Sequence, residues 1–203
     1  MTARSSVEHF SLIRSLHLAD LFTIGNGFCG VLAVFAALKF VASGDAGHVY
    51  LAAGLIAAAL VLDVLDGRIA RWRHTASAMG RELDSLADVV SFGVAPAAIA
   101  FAVGLDTPLD QLILVYFALC GLSRLARYNV SAAALADASG KVKYFEGTPI
   151  PTSVVPLGVL VWTFARGELY PAQVLGVEFH LPALLFFLSG CLMISKTLRI
   201  PKP

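Results

Sequence analysis

Six apolar runs separated by short polar breaks dominate the chain, at 21–41, 50–62, 89–105, 111–123, 148–165 and 181–195. Crossing about 30 Å of hydrocarbon takes about 20 helical residues. The run 21–41 satisfies this with Lys39 as its only charge. Three shorter runs have a charged end that continues the same helix: 50–62 runs into Asp63, 89–105 follows Asp88, and 111–123 runs into Arg124. The pattern predicts an all-α membrane protein with six transmembrane helices forming one domain over 21–199. Ahead of it, Val7, Phe10, Ile13 and Leu16 recur at near-helical spacing with Arg14 and His17 among them. This predicts a short interfacial helix within a juxtamembrane segment at 1–20.

Composition agrees. Of 203 residues, 58% are hydrophobic and only 14% charged, against about 25% charged in soluble domains, and the mean hydropathy is +0.78. Disordered chains, disulfide scaffolds and secreted soluble enzymes are excluded, and a net charge of +1 gives no field for nucleic acid. The distribution of charge matters more than its sum. With the N-terminus cytoplasmic, only Lys39 and Arg166 of the fifteen basic residues fall near the outside, where Asp45, Asp106, Asp110, Glu168 and Glu178 gather. A positive-inside bias of this kind predicts both termini in the cytoplasm. Cys29, Cys120 and Cys191 lie apart in apolar runs and read as small hydrophobes, and the small-residue stretch 131–140 reads as a linker.

The chemistry concentrates in Asp63-Val-Leu-Asp66-Gly67-Arg-Ile-Ala70-Arg71, then eight residues, then Gly80-Arg-Glu-Leu-Asp84-Ser-Leu-Ala-Asp88. Asp63 and Asp66 at i,i+3, and Asp84 and Asp88 at i,i+4, each share a helix face. Antiparallel neighbours joined by a short turn would bring both pairs together at one membrane edge. Four anions cannot stay ionised side by side in low dielectric without compensation. An all-oxygen set favours Mg²⁺ or Mn²⁺, one or two ions, over zinc. Gly67, Ala70 and Gly80 leave room for a ligand, and Arg71 suits a phosphate. Asp88 is placed to accept a proton from an attacking hydroxyl. The competing reading, carboxylates solvated and paired with Arg68, Arg71, Arg73 and Arg81, suits one such Asp far better than four in this spacing.

This stretch matches, position for position, the signature DxxDGxxAR(x8)GxxxDxxxD, and the chain thereby resembles the CDP-alcohol phosphotransferase family. The resemblance implies a six-helix membrane enzyme fold with a cytoplasm-facing active site, which passes a substituted phosphate from a CDP-linked lipid to an alcohol and releases CMP. It implies metal ligation by Asp63, Asp66, Asp84 and Asp88, with Asp88 also the catalytic base. It also implies CDP contacts at Gly67, Arg71 and Ser77. A nucleotide-contacting Thr-Pro-Asn/Asp element of the family corresponds here to Leu18-Ala19-Asp20, of which only Asp20 matches. With Asp66, Ala70, Gly80 and Asp84, these make up the expected CDP-lipid site.

Three further blocks resemble the phosphatidylserine synthase branch: Leu21-Phe-Thr-Ile-Gly-Asn26-Gly-Phe-Cys29-Gly30, Arg124-Leu-Ala-Arg127-Tyr128-Asn129, and Tyr144-Phe145-Glu146-Gly147-Thr-Pro149-Ile-Pro151. Thr148 stands where Leu is common in that branch. The branch implies CDP-diacylglycerol and L-serine as substrates and CMP as product. Arg124 and Arg127 at i,i+3 suit a carboxylate, with Asn129 and Lys143 as further acceptor contacts. Another alcohol, such as choline, glycerol phosphate or inositol phosphate, fits the same chemistry, as does an archaeal ether CDP-lipid. A small cation transporter is the alternative of a different class. The small residues Gly25, Gly27 and Gly30 allow close helix approach, either within the chain or in a homodimer.

Overall fold

The computed structural model describes residues 18–73, 78–136, 144–174, 176–197 and 199–201. The expected interfacial helix lies outside the described residues. Among the described residues seven α-helices carry the fold: α1 (Leu18–Ser43), α2 (Gly47–Arg73), α3 (Ala78–Asp88), α4 (Ala95–Ala102), α5 (Pro108–Ala136), α6 (Val154–Ala165) and α7 (Leu181–Ile194). A π-helical stretch, Val89–Val94, joins α3 to α4 in one continuous rod, and a 3₁₀ turn, Ile150–Ser153, leads into α6. Four rods, Asp20–Ser43, Gly47–Ile69, Met79–Ala102 and Pro108–Val130, are long and apolar enough to cross a membrane. The apolar helices Ile150–Ala165 and Leu181–Ile194 are shorter, roughly 24 and 21 Å at 1.5 Å per residue.

The first described helix, α1, takes Asp20 into its first turn. The expected linker at 131–140 is helical as far as Ala136, because Ser-Ala-Ala-Ala-Leu-Ala is rich in the strongest helix former. Two small antiparallel ribbons are additions. One pairs β1 (Tyr144–Glu146) with β4 (Arg199–Pro201), and the other pairs β2 (Pro171–Val174) with β3 (Val177–His180).

Helices in lipid gain little by burying apolar surface against one another, so packing favours small residues that let backbones approach. The interface between α1 and α2 follows this rule: Ala33, Ala36 and Ala37 bury against a face carrying Ala52, Ile56 and Ala59. On the opposite side of α1, Leu21, Phe28 and Phe35 stand exposed at heptad spacing, a stripe that only lipid or a partner would cover. The centre of the bundle is aromatic, with Phe117 of α5 edge-on to Phe186 of α7 at 5.2 Å.

The end of the bundle where α5 begins is pinned by one buried carboxylate. Asp110, fully buried, accepts from the Thr107 hydroxyl at 2.8 Å and from the Thr107 N–H at 3.3 Å, while its own N–H donates to Thr107 Oγ1 at 3.2 Å. This reciprocal arrangement is a capping box. The same carboxylate accepts from the His180 N–H at 2.9 Å and meets His180 Nδ1 at 2.7 Å, which ties the start of α7 to the start of α5. Replacing Asp110 by Ala leaves the buried His180 and the half-buried Thr107 without their partner. The substitution is expected to cost about 3 kcal/mol, read as a lowered melting temperature in detergent, with activity kept at low temperature. An unchanged melting temperature would contradict this anchor role.

Candidate active site

Asp63 and Asp66 lie near the end of α2, and Asp84 and Asp88 lie in α3. Carboxylate oxygens of Asp63, Asp66 and Asp84 all lie within 4.8 Å of one another. Asp88 sits one turn beyond Asp84, buried, and the charges of Asp63, Asp84 and Asp66 all act on it. Among the described residues no Lys or Arg pairs with any of the four, and Asp84 Oδ1 is buried with no hydrogen-bond partner. A compact, acceptor-only group of oxygens with an unpaired buried member has the donor chemistry of a hard divalent cation site.

The aspartates are oriented by neutral donors on α1. Thr23 Oγ1 donates to Asp66 Oδ2 at 2.9 Å, and Asn26 Nδ2 donates to Asp88 Oδ1 at 3.0 Å. Asn26 is fully buried, and its backbone carbonyl oxygen takes a hydrogen bond from Ser91 Oγ at 2.9 Å. Ser91 belongs to the π-helical stretch that directly follows Asp88. A π turn changes the facing of residues on either side of it and often marks functional sites. Here it brings Ser91 against Gly30, where a Cβ would lie 2.8 Å from Ser91 Cα and collide with its hydroxyl. Only a glycine admits this approach. Gly25 and Gly27 similarly face Leu62 and Ala87, so the glycines of α1 serve contacts within the chain.

The remaining expected residues fall around this core. Asp20 is buried in the first turn of α1. A Cβ on Gly67 would meet nothing within 4 Å, which leaves space beside Asp66. Ala70 and Arg71 continue α2, and Gly80 lies in the first turn of α3. Ser77 and Lys143 lie outside the described residues. On α5, Arg124 is buried and Asp88 acts on it electrostatically. Arg127 Nη1 donates to the Ile194 carbonyl at 3.4 Å. Asn129 is a strut between helices: its Nδ2 donates to Glu82 Oε2 at 3.2 Å and to Ser85 Oγ at 3.0 Å on α3.

Sequence reasoning assigned Thr23 and Ser91 nothing, and gave Asn26 no contact of its own. The signal was present: Asp20, Thr23, Asn26/Gly27 and Gly30 recur every three or four residues, a polar and small stripe down an otherwise apolar helix.

The model of the CDP-alcohol phosphatidyltransferase family matches residues 16–194. A CDP-diacylglycerol–serine O-phosphatidyltransferase of Saccharomyces cerevisiae is 47% identical over 98% of this chain and 75% of its own length. One of Bacillus subtilis is 36% identical over 73% of this chain and 77% of its own. One of Helicobacter pylori is 39% identical over 67% and 53%. No solved structure matches the chain. The chain belongs to the CDP-alcohol phosphatidyltransferase family, whose members use divalent metals, and the carboxylate cluster described above fits that use.

Replacing Asp84 by Asn changes one of the three clustered carboxylates and the one that keeps a buried oxygen without a partner. Calorimetric titration with Mn²⁺ is expected to show affinity lower by about 100-fold. The metal-free variant should melt higher by on the order of 1 kcal/mol of stability. Equal Mn²⁺ affinity in the two proteins would take Asp84 out of the ligand set.

Proposed function

We propose that the chain transfers the phosphatidyl group of CDP-diacylglycerol to the hydroxyl of L-serine, giving phosphatidylserine and CMP. The observation that carries this reading is the convergence of Asp63, Asp66 and Asp84 beside an Asp88 carboxylate oriented by Asn26. The names of the relatives support the choice of acceptor. We read Ile150–Ala165 and Leu181–Ile194 as two further spans, making six in a domain over 21–199 preceded by a juxtamembrane segment. The bias of basic residues supports a reading in which the aspartate end and both termini face the cytoplasm from the inner membrane.

In this reading Asp63, Asp66, Asp84 and Asp88 would hold Mg²⁺ or Mn²⁺, two ions, and the metal would supply positive charge against the diphosphate. Asp20, Gly67, Ala70, Arg71, Ser77 and Gly80 line the CDP side with Asp66 and Asp84. The open space at Gly67 lets the nucleotide reach the helix backbone. The acyl chains stay in the bilayer. Arg124 and Arg127 face the acceptor carboxylate, Lys143 adds positive charge, and Asn129 keeps α5 at a set distance from α3.

Asn26 engages one oxygen of Asp88, which leaves the other to take the proton of the serine hydroxyl. A bond forms between the serine oxygen and the lipid-side phosphorus as the bond from that phosphorus to the CMP oxygen breaks. Most of the catalysis is positioning and charge placement. In purified protein supplied with CDP-diacylglycerol and a divalent cation, labelled serine is expected to enter lipid, whereas choline, glycerol phosphate and inositol phosphate are not. Asp88→Asn is expected to lower turnover about 10²–10⁴-fold without loss of folded protein. Near-normal turnover in that variant would remove Asp88 as the base.

A further inference from the structure

The acceptor end of the site has a wall that the aspartate motif does not reveal. Gly147 turns the chain in the left-handed region (φ +74°) so close to α7 that a Cβ there would lie 3.0 Å from the Leu192 carbonyl and collide with that of Met193. The next residue, Thr148, donates its N–H to the Leu192 carbonyl at 3.2 Å. From α5, Arg127 Nη1 reaches the Ile194 carbonyl, two residues further on. Thr148 and Arg127 therefore grip the same helix end, whose last carbonyls have no partner within the helix. Ile150 secures the segment by filling the space over Gly121, where a Cβ would lie 3.2 Å from Ile150 Cγ1. Gly121 is one turn before Arg124 on α5.

Around this junction three buried atoms have no hydrogen-bond partner among the described residues: Arg124 Nε, Arg127 Nη2 and Thr148 Oγ1. All three can donate. Buried donors left without partners are costly to the resting protein, and their common complement is an anionic group with several acceptor lone pairs. A carboxylate is such a group, and the guanidinium fork suits it.

We infer that Thr148 is a specificity-determining residue of the acceptor pocket, its hydroxyl donating to the acceptor carboxylate beside Arg124 and Arg127. The inference rests on the serine-transfer reading above and adds a contact to it.

The test compares wild-type enzyme with Thr148→Val, which removes the hydroxyl at nearly constant shape, and Thr148→Ser, which keeps it. In Thr148→Val the KM for serine is expected to rise about tenfold, the lower range for a lost hydrogen bond to a charged group. The KM for CDP-diacylglycerol should be unchanged, and Thr148→Ser should stay within about twofold of wild type for both substrates. The preference for serine over serinamide, which lacks the carboxylate, should fall by the same factor. Thr148→Val should melt no lower than wild type, because it removes a buried hydroxyl that has no partner in the resting protein. An unchanged serine KM overturns the inference. So does a rise confined to the KM for CDP-diacylglycerol, which would assign the hydroxyl to the diphosphate. A wild-type enzyme that labels another alcohol and not serine would overturn the reaction reading first, and this inference with it.

Discussion

Among the described residues, carboxylates that form no ion pair with a lysine or arginine are the condition around which this bundle is built. Four carboxylates stand at the ends of apolar helices, where an ionised side chain is costly and is normally paired. The groups that touch them are neutral: a Thr hydroxyl on Asp66 and an Asn amide on Asp88. A lysine or arginine in those places would satisfy the carboxylates permanently and cancel the potential that draws in a cation and a diphosphate. Neutral donors fix the direction of the oxygens and leave their charge unspent. The cost falls on packing, because Thr23 reaches Asp66 only if α1 lies against α2, and Asn26 reaches Asp88 only if α1 lies almost against α3 and the π turn. The contact of Gly30 with Ser91 is where that closeness is greatest.

The two ends of the bundle treat polar groups in opposite ways. Around Asp110, Thr107 and His180 the carboxylate has several partners and serves as a closed anchor. At the other end Asp84, Arg124, Arg127 and Thr148 each keep a buried atom without one. A protein selected only for stability would not retain such a set. Satisfied polar groups hold the scaffold, and in the proposed reading a ligand supplies the bonds missing at Asp84, Arg124, Arg127 and Thr148.

The aspartates were legible in the sequence because an acidic residue in an apolar run is conspicuous and helical spacing decides which of them share a face. The four long rods were legible for the same reason. The π turn was not, since Val-Val-Ser-Phe-Gly-Val carries no pattern that separates it from an ordinary helical turn. The pairing of β1 with β4 joins Tyr144 to Pro201, a contact between three-residue strands too short and too distant in sequence for periodicity to find. The helical reach of α5 to Ala136 was masked by reading small residues as a linker when alanines favour helix. Arg124 and Arg127 were visible as a pair. The convergence of Arg127 and Thr148 on the end of α7 depends on tertiary packing and was not.

The first helix carries two unlike obligations on one cylinder. Along Asp20, Thr23, Asn26 and Gly30 every position is held by a specific neighbour, and size matters as much as polarity. Along Leu21, Phe28 and Phe35 the requirement is only oiliness, which many side chains meet. Over evolutionary time the outer stripe is therefore free to drift with the thickness and fluidity of whatever membrane the lineage inhabits. The inner stripe changes only together with its counterparts on the neighbouring rods. Adaptation to a new lipid environment can thus proceed on this helix without disturbing the chemistry a few ångströms away.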